Sequence, residues 1–449
     1  MRALAFGAAV LAIVAACNRS TVPVPDPQAS VGPSMPAPEA GSKEGPAPSD
    51  PGLANANRGP PVPMPPAAET KALAAGSNAF AVDLWTRVGK NPGNLAFSPA
   101  SISLAVAMAW GGAKGETAAQ MKRTMHFAGE PDANAAAWGK LSRALSSPGR
   151  PRELRIANRL FGESSYRFEQ PYLDKTASAF GAPLEPLDFK KGFEPSRVHI
   201  NAWVEEQTKN RITGLLPPGA LDTLTRLVLV NAIYFLAEWL DPFEGRSTSD
   251  EPFIVNAASK PSVSMMHRTA SYSYGQVDGV KVLALPYLGN DVAMFAVLPD
   301  KQDGLAAVES SLNAAKIAEW TKSRPSSLVE VTFPRFELSP PALSLGDDLA
   351  ALGMPLAFVK RRADFTGIAN PADEDERLSI SKVFHKAFVK VNEKGTEAAA
   401  ATAIVMAAGA GMPPKAIEFR ADHPFLFFIV DKSSGLVLFM GRVADPSAK

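Results

Sequence analysis

"GTEAAAATAIVMAAGAGMPP", residues 395–414, sets propensities against one another. Its alanines favour helix, Thr402, Ile404 and Val405 favour strand, and Gly409, Gly411, Pro413 and Pro414 favour neither. A helix here would be apolar all round and too short for a membrane, so it would have to be core, yet Gly and Pro close it at once. From Thr396 to Thr402 the side chains are small apart from Glu397, and no Lys or Arg lies between Gly395 and Pro414.

The flanks read as strands. "KAFVKVNE" (386–393) precedes the stretch, and "FLFFIVDKSSGLVLFMGRV" (425–443) follows it as two buried strands joined at Lys432 to Gly435. Further back, "DVAMFAVLP" (291–299) and "LVEVTFPRFEL" (328–338) are strands, and "RLVLVNAIYF" (226–235) is apolar on both faces, as a central strand is. Helical signals come earlier. "ALAAGSNAFAVDLWTRV" (72–88) carries an apolar stripe. "SPASISLAVAMAWGG" (98–112) opens on Ser98 and Pro99 as cap and first turn and stops at Gly111-Gly112. Thr117 and Gln120 have the spacing of a capping box for the next helix. In "SRVHINAWVEEQTKNRI" (196–212), Ile200, Trp203 and Val204 share one face and Glu205 and Lys209 pair outside. The expected class is α+β, helices early and strands late, in one domain from residue 69 to 449.

Ahead of it, residues 18–68 are rich in Pro, Ala and Gly and cannot bury enough apolar surface to offset their ordering entropy, so they read as a disordered tether. Residues 1–17, "MRALAFGAAVLAIVAAC", read as an export signal. Its "VAAC" end resembles the bacterial lipobox, which makes Cys17, the only cysteine, the expected lipidation site; the alternative is an ordinary signal peptide. The expectation is an exported protein, lipid-anchored at the cell envelope or extracellular, with Asn18 leaning toward the outer membrane. With one cysteine, a disulfide within the chain is excluded.

Composition narrows function by exclusion. Lys plus Arg (46) balance Asp plus Glu (45) without a long basic stripe, so no nucleic-acid partner is expected. No G-x-S-x-G, H-E-x-x-H, Walker or G-x-G-x-x-G motif occurs, and His126, His199, His267, His385 and His423 are scattered without metal-ligand spacing. No metal, no cofactor and no enzyme activity are expected.

Four stretches, "NLAFSPASISLAVAMAWGGAKGETAAQM" (94–121), "VLVNAIYFLAEW" (228–239), "FHKAFVKVNEKGTEAAAAT" (384–402) and "DHPFLFFIVDKSSGLVLFMGRVADP" (422–446), together resemble the serpins in order and spacing. The resemblance implies the serpin fold, with three β-sheets, about nine helices and an exposed reactive-centre loop. It implies an inhibitor of serine endopeptidases acting as a suicide substrate: the protease cleaves the loop, and the acylated loop inserts into the main sheet and carries the trapped enzyme with it. The small hinge residues then have a reason, since alternate residues Thr396, Ala398, Ala400 and Thr402 must pass under the parting sheet and Gly395 must let the chain turn in. Thr396→Arg is expected to spare the uncut fold and block insertion. Glu393 completes the hinge.

By the same resemblance Ser98, Ser101, Asn231 and His385 form the shutter, Trp239 marks the top of the sheet, and Arg335 is placed to pair with Glu393. The reactive bond counts to Gly409-Ala410 from the hinge, or to Ala410-Gly411 from Pro413-Pro414. Small residues there suit an elastase or subtilisin pocket, and Met406 or Met412 a chymotrypsin type. The implied molecule is a monomer. The runner-up is a non-inhibitory serpin acting as a binding or chaperone-like protein.

Overall fold

The computed structural model describes residues 60–181, 184–396 and 415–448. Among these are nine α-helices and sixteen strands. The reactive-bond residues, Ala398, Ala400, Thr402 and Cys17 lie outside the described residues.

A seven-stranded sheet positions everything that follows. Its order is Phe336–Leu338, Lys382–Asn392, Gly395–Thr396, Leu227–Glu238, Arg152–Glu163 and Glu185–Leu187, with Leu343–Ser344 also beside Lys382–Asn392. Strand 227–238 is buried at every residue, which its unbroken apolar run demands of a strand covered on both faces. Helix Pro99–Trp110 covers one face. Each of its residues is buried, because it packs against strands 152–163 and 227–238 on one side and Leu436–Val443 of the second sheet on the other. The opposite face carries helix Phe189–Gln207, whose Ile200 and Val204 join Phe161, Val228, Val230, Phe384 and Phe388 in a separate apolar cluster.

The second network runs Leu95–Phe97, Leu436–Val443, Phe425–Asp431, Val292–Pro299, Val280–Pro286, Ser262–Val277, Ser326–Pro334 and Ile417–Arg420, with Thr248–Pro252 beside Ser262–Val277. Strand 262–277 is shared between two halves: residues 273–277 pair with 280–284, and residues 265–273 pair with 326–334. That sharing joins two of the three expected sheets into one hydrogen-bonded path.

Local expectations fare unevenly. Ser98 caps its helix, its Oγ accepting from Ser101 N at 3.1 Å, and the helix stops at Gly111. The first helix begins at Ala67, ahead of the expected domain start at residue 69. Thr117 and Gln120 form no capping box. Their helix starts at Gly115, and their side chains serve the tertiary fold, Thr117 Oγ1 accepting from Asp364 N and Gln120 Oε1 from Leu356 N. Lys209 lies past the end of its helix at φ +51° and pairs with Glu153 at 2.7 Å rather than with Glu205. Strand 152–163 stands early in the chain, among the helices, against the expected segregation.

Candidate functional site

Two long strands part, and a third segment sits in the gap. Residues 382–388 pair in parallel with 228–234, and above that level the strands diverge. Between them lies Gly395–Thr396, antiparallel to both: Gly395 faces Asn392 and Glu238, and Thr396 faces Val391 and Ala237. The first two hinge residues are therefore already strand.

Glycine is dictated at 395. Its φ is +155°, and a Cβ there would lie 2.0 Å from the Ala237 carbonyl oxygen. Thr396 is fully buried, and its hydroxyl is 2.6 Å from Tyr287 Oη. The expectation that Thr396→Arg spares the uncut fold is thereby corrected, because no room exists for Arg at a docked position.

The turn between Asn392 and Gly395 is held from one side. Trp239 N donates to Lys394 O at 2.7 Å, Trp239 Nε1 to Asn392 O at 3.0 Å, and Phe243 N to Glu393 O at 2.7 Å. The Trp239 ring stacks on Tyr287 with centroids 4.5 Å apart and planes 14° apart. Glu393 Oε1 accepts from Arg335 Nε and from Thr248 Oγ1, both at 2.6 Å. Burial pushes the Glu393 carboxyl up, but the Arg335 and Thr248 hydrogen bonds outweigh it and hold the acid below its ordinary range.

Below the gap, where the strands are still paired, three polar residues stand in a row across three strands. Asn158 lies opposite Asn231, and Asn231 opposite His385. Their partners sit at the N-terminus of helix 99–110. Ser98 N donates to His385 Nε2 at 3.0 Å, which leaves the His385 proton on Nδ1, where it meets Asn231 Oδ1. Asn231 Nδ2 in turn donates to Ser101 O at 2.7 Å, and contacts Ser101 Oγ and Asn158 Oδ1. Full burial drives the His385 pKa down to about 3, so the imidazole is neutral and its tautomer is set by its neighbours.

Ser98, Ser101, Asn231 and His385 thus meet, and so do Trp239, Arg335, Glu393, Gly395 and Thr396. Sequence reasoning missed Asn158, Tyr287 and Thr248. Asn158 carried a faint signal as a lone amide inside "RIANRLF"; Tyr287 and Thr248 carried none, since their partners are more than 100 positions away.

One other grouping invites comparison with a hydrolase triad. Ser249 Oγ and Glu251 Oε1 both approach His267 Nε2, at 3.2 and 2.6 Å, while Nδ1 faces Thr332 Oγ1. A triad needs the nucleophile and the carboxylate on different nitrogens, so this cluster lacks a triad's geometry.

The fold and this gap define a class. Residues 75–446 match the family described as serpin (serine protease inhibitor), and the chain belongs to that family. The human leukocyte elastase inhibitor is 40% identical over 384 residues, covering 83% of this chain and 99% of that protein. The bovine leukocyte elastase inhibitor is 43% identical over 386 residues with the same coverages. The crystal structure of uncleaved ovalbumin superposes with a TM-score of 0.77 at 30% identity, over 84% of this chain and all of that one.

Proposed function

We propose that this chain inhibits serine endopeptidases as a suicide substrate, and that its targets have elastase- or subtilisin-like pockets. One observation carries the reading: Gly395–Thr396 is seated between strands 227–238 and 382–392, at the head of a parallel pair that a longer inserted strand can split. Insertion exchanges about seven parallel pairings for antiparallel ones on both sides of the new strand, and each added ladder bond stabilises by about 1 kcal/mol. Thr396 fixes which way the loop faces. Continuing its register, Ala398, Ala400 and Thr402 turn to the side of helix 99–110, where small side chains fit.

The elastase-inhibitor relatives and the small residues Gly409, Ala410 and Gly411 support the protease class. In this reading the protein acts as a monomer, needs no cofactor and is consumed one-for-one rather than turning over. Mixing it with a pancreatic-type elastase should yield a covalent complex that survives SDS. Clean cleavage without a complex would sink the proposal in favour of the non-inhibitory reading. Mass spectrometry of the released C-terminal peptide then distinguishes Gly409-Ala410 from Ala410-Gly411.

We also propose that Cys17 carries a lipid anchor and residues 18–68 hold the domain away from an outer-membrane surface. Metabolic labelling with a fatty acid should tag the chain and fail to tag Cys17→Ala.

A further inference from the structure

We infer that His423 is a pH-operated latch on strand Ile417–Arg420, the first element after residues 397–414. It holds the strand down while both ring nitrogens carry protons and slackens when one proton leaves. The inference is independent of the inhibitory reading.

Pairing alone holds this strand weakly. It has four residues, ends the path of the second network and, among the described residues, pairs with 329–332 alone. Ile417 and Glu418 are exposed, and Phe419 is its one fully buried side chain. Charge fixes its downstream end. Arg420 Nε donates to Asp422 Oδ2 at 3.0 Å, and Arg420 also pairs with Glu251 of strand Thr248–Pro252. Ala421 N donates to Thr332 O at 2.9 Å, and Asp422 O accepts from Ile254 N at 2.7 Å.

His423 closes this end. It is 6% exposed, with Nδ1 2.9 Å from Asp422 Oδ1 and Nε2 2.8 Å from the Pro299 carbonyl oxygen. Neither partner can donate. Burial pushes the Asp422 carboxyl up, but hydrogen bonds from His423 and Arg420 outweigh it and keep the acid ionised, and a carbonyl has no proton to give. Both ring nitrogens must therefore donate, which only the imidazolium does. A neutral ring would turn a lone pair on one of two acceptors in a buried place, leaving a hydrogen bond unmade at full desolvation cost.

The surroundings suit a charged ring. Asp422 is the one carboxylate within ion-pair distance of His423 among the described residues, and strand Val292–Pro299 brings a carbonyl and no charged side chain. Beyond Asp422 the chain of charges runs through Arg420 and Glu251 to His267, whose Nε2 lies 2.6 Å from Glu251 Oε1. His267 is not forced in the same way, because its Nδ1 faces the Thr332 hydroxyl, which can donate. Attachment of the strand thus binds a proton. Its contribution is fully present below the ordinary histidine value of about 6.5 and is lost as pH rises above it. Strand 417–420 is where residues 397–414 rejoin the described fold, so their downstream mooring becomes pH-dependent.

Hydrogen exchange of the full chain at pH 6, 7 and 8, corrected for intrinsic rates, reads the latch at the Ala421 and Ile254 amides. Protection there should fall about tenfold from pH 6 to pH 8. A flat or rising profile overturns the proposal. His423→Gln should flatten the profile, since no proton is left to lose. Asp422→Asn should flatten it too, because the new amide can donate to a neutral ring, and it keeps the test decisive if His423→Gln fails to fold. The wild-type profile in a folded variant of either kind refutes His423 as the latch.

Discussion

Tyr287 and Thr396 are both fully buried, 109 positions apart in the chain, and joined by a hydroxyl-to-hydroxyl hydrogen bond of 2.6 Å. The bond fastens the hinge to the second sheet, because Tyr287 follows strand 280–286 and stacks on Trp239. Desolvation, which the Thr396 hydrogen bond only partly offsets, raises the phenol pKa far above its ordinary value, so it stays protonated. Tyr287→Phe keeps the ring stack and removes one bond. The uncut protein should lose about 1 to 2 kcal/mol in urea denaturation, and the peptide after Thr396 should be cut faster by a non-target protease. Unchanged stability with an unchanged cleavage rate would show that the bond does not restrain the hinge.

Arg335 and Glu393 brace the same turn differently. Arg335 is nearly half exposed at 46% of its side chain while Glu393 is at 10%, so solvent screens the pair and the interaction contributes only about 1 kcal/mol. Arg335→Met should lower stability by that amount, because Thr248 still binds the Glu393 carboxylate. Thr248→Val combined with Arg335→Met should cost more than the sum of the two single changes, since it strands a largely buried acid. Simple additivity in a double-mutant cycle would contradict this.

His385 supplies a pH signature. Its folded pKa of about 3 lies below the ordinary value of 6.5, so the unfolded chain binds a proton that the folded one refuses. The sign follows: stability from this residue is fully present above pH 6.5 and falls as pH drops from there toward 3. Between pH 6.5 and pH 5, before most carboxylates titrate, the loss should reach about 2 kcal/mol. His385→Gln should flatten that slope in denaturation curves taken at several pH values. A slope identical to wild type would remove His385 as its origin.

How much of this was readable beforehand depends on range. Strand 227–238 and helix 99–110 declare themselves because burial on all sides writes an unbroken apolar run. The hinge declares itself by size, with "TEAAAAT" small at every position but Glu397. Strand 152–163 did not, since "RELRIANRLFGE" hides a buried arginine, a buried asparagine and a buried glutamate whose partners are far away. Glu163, for example, accepts from the amides of Phe189 and Lys190 across the sheet edge, a use no local pattern encodes. The docking of Thr396 was likewise invisible, because the sequence shows that the hinge fits a sheet and not that its first residues already occupy one.

Register makes the last prediction specific. Thr396 pairs with Val391 on one side and Ala237 on the other, and Val391 and Ala237 are six positions beyond His385 and Asn231. An antiparallel strand continuing from Thr396 therefore brings Thr402 level with His385 and Asn231, side chain on the same face as theirs. In the proposed inhibitory reading, its arrival separates those two strands and breaks the contact between His385 Nδ1 and Asn231 Oδ1. The Thr402 hydroxyl can donate to one and accept from the other, so the exchange leaves no buried group unpaired. Thr402→Val matches the shape and lacks the hydroxyl. The uncut variant should melt with wild type, while its loop-cleaved form should lose about 2 to 4 kcal/mol relative to cleaved wild type, for two stranded polar groups. Equal stability of the two cleaved forms would mean that the loop does not insert in this register.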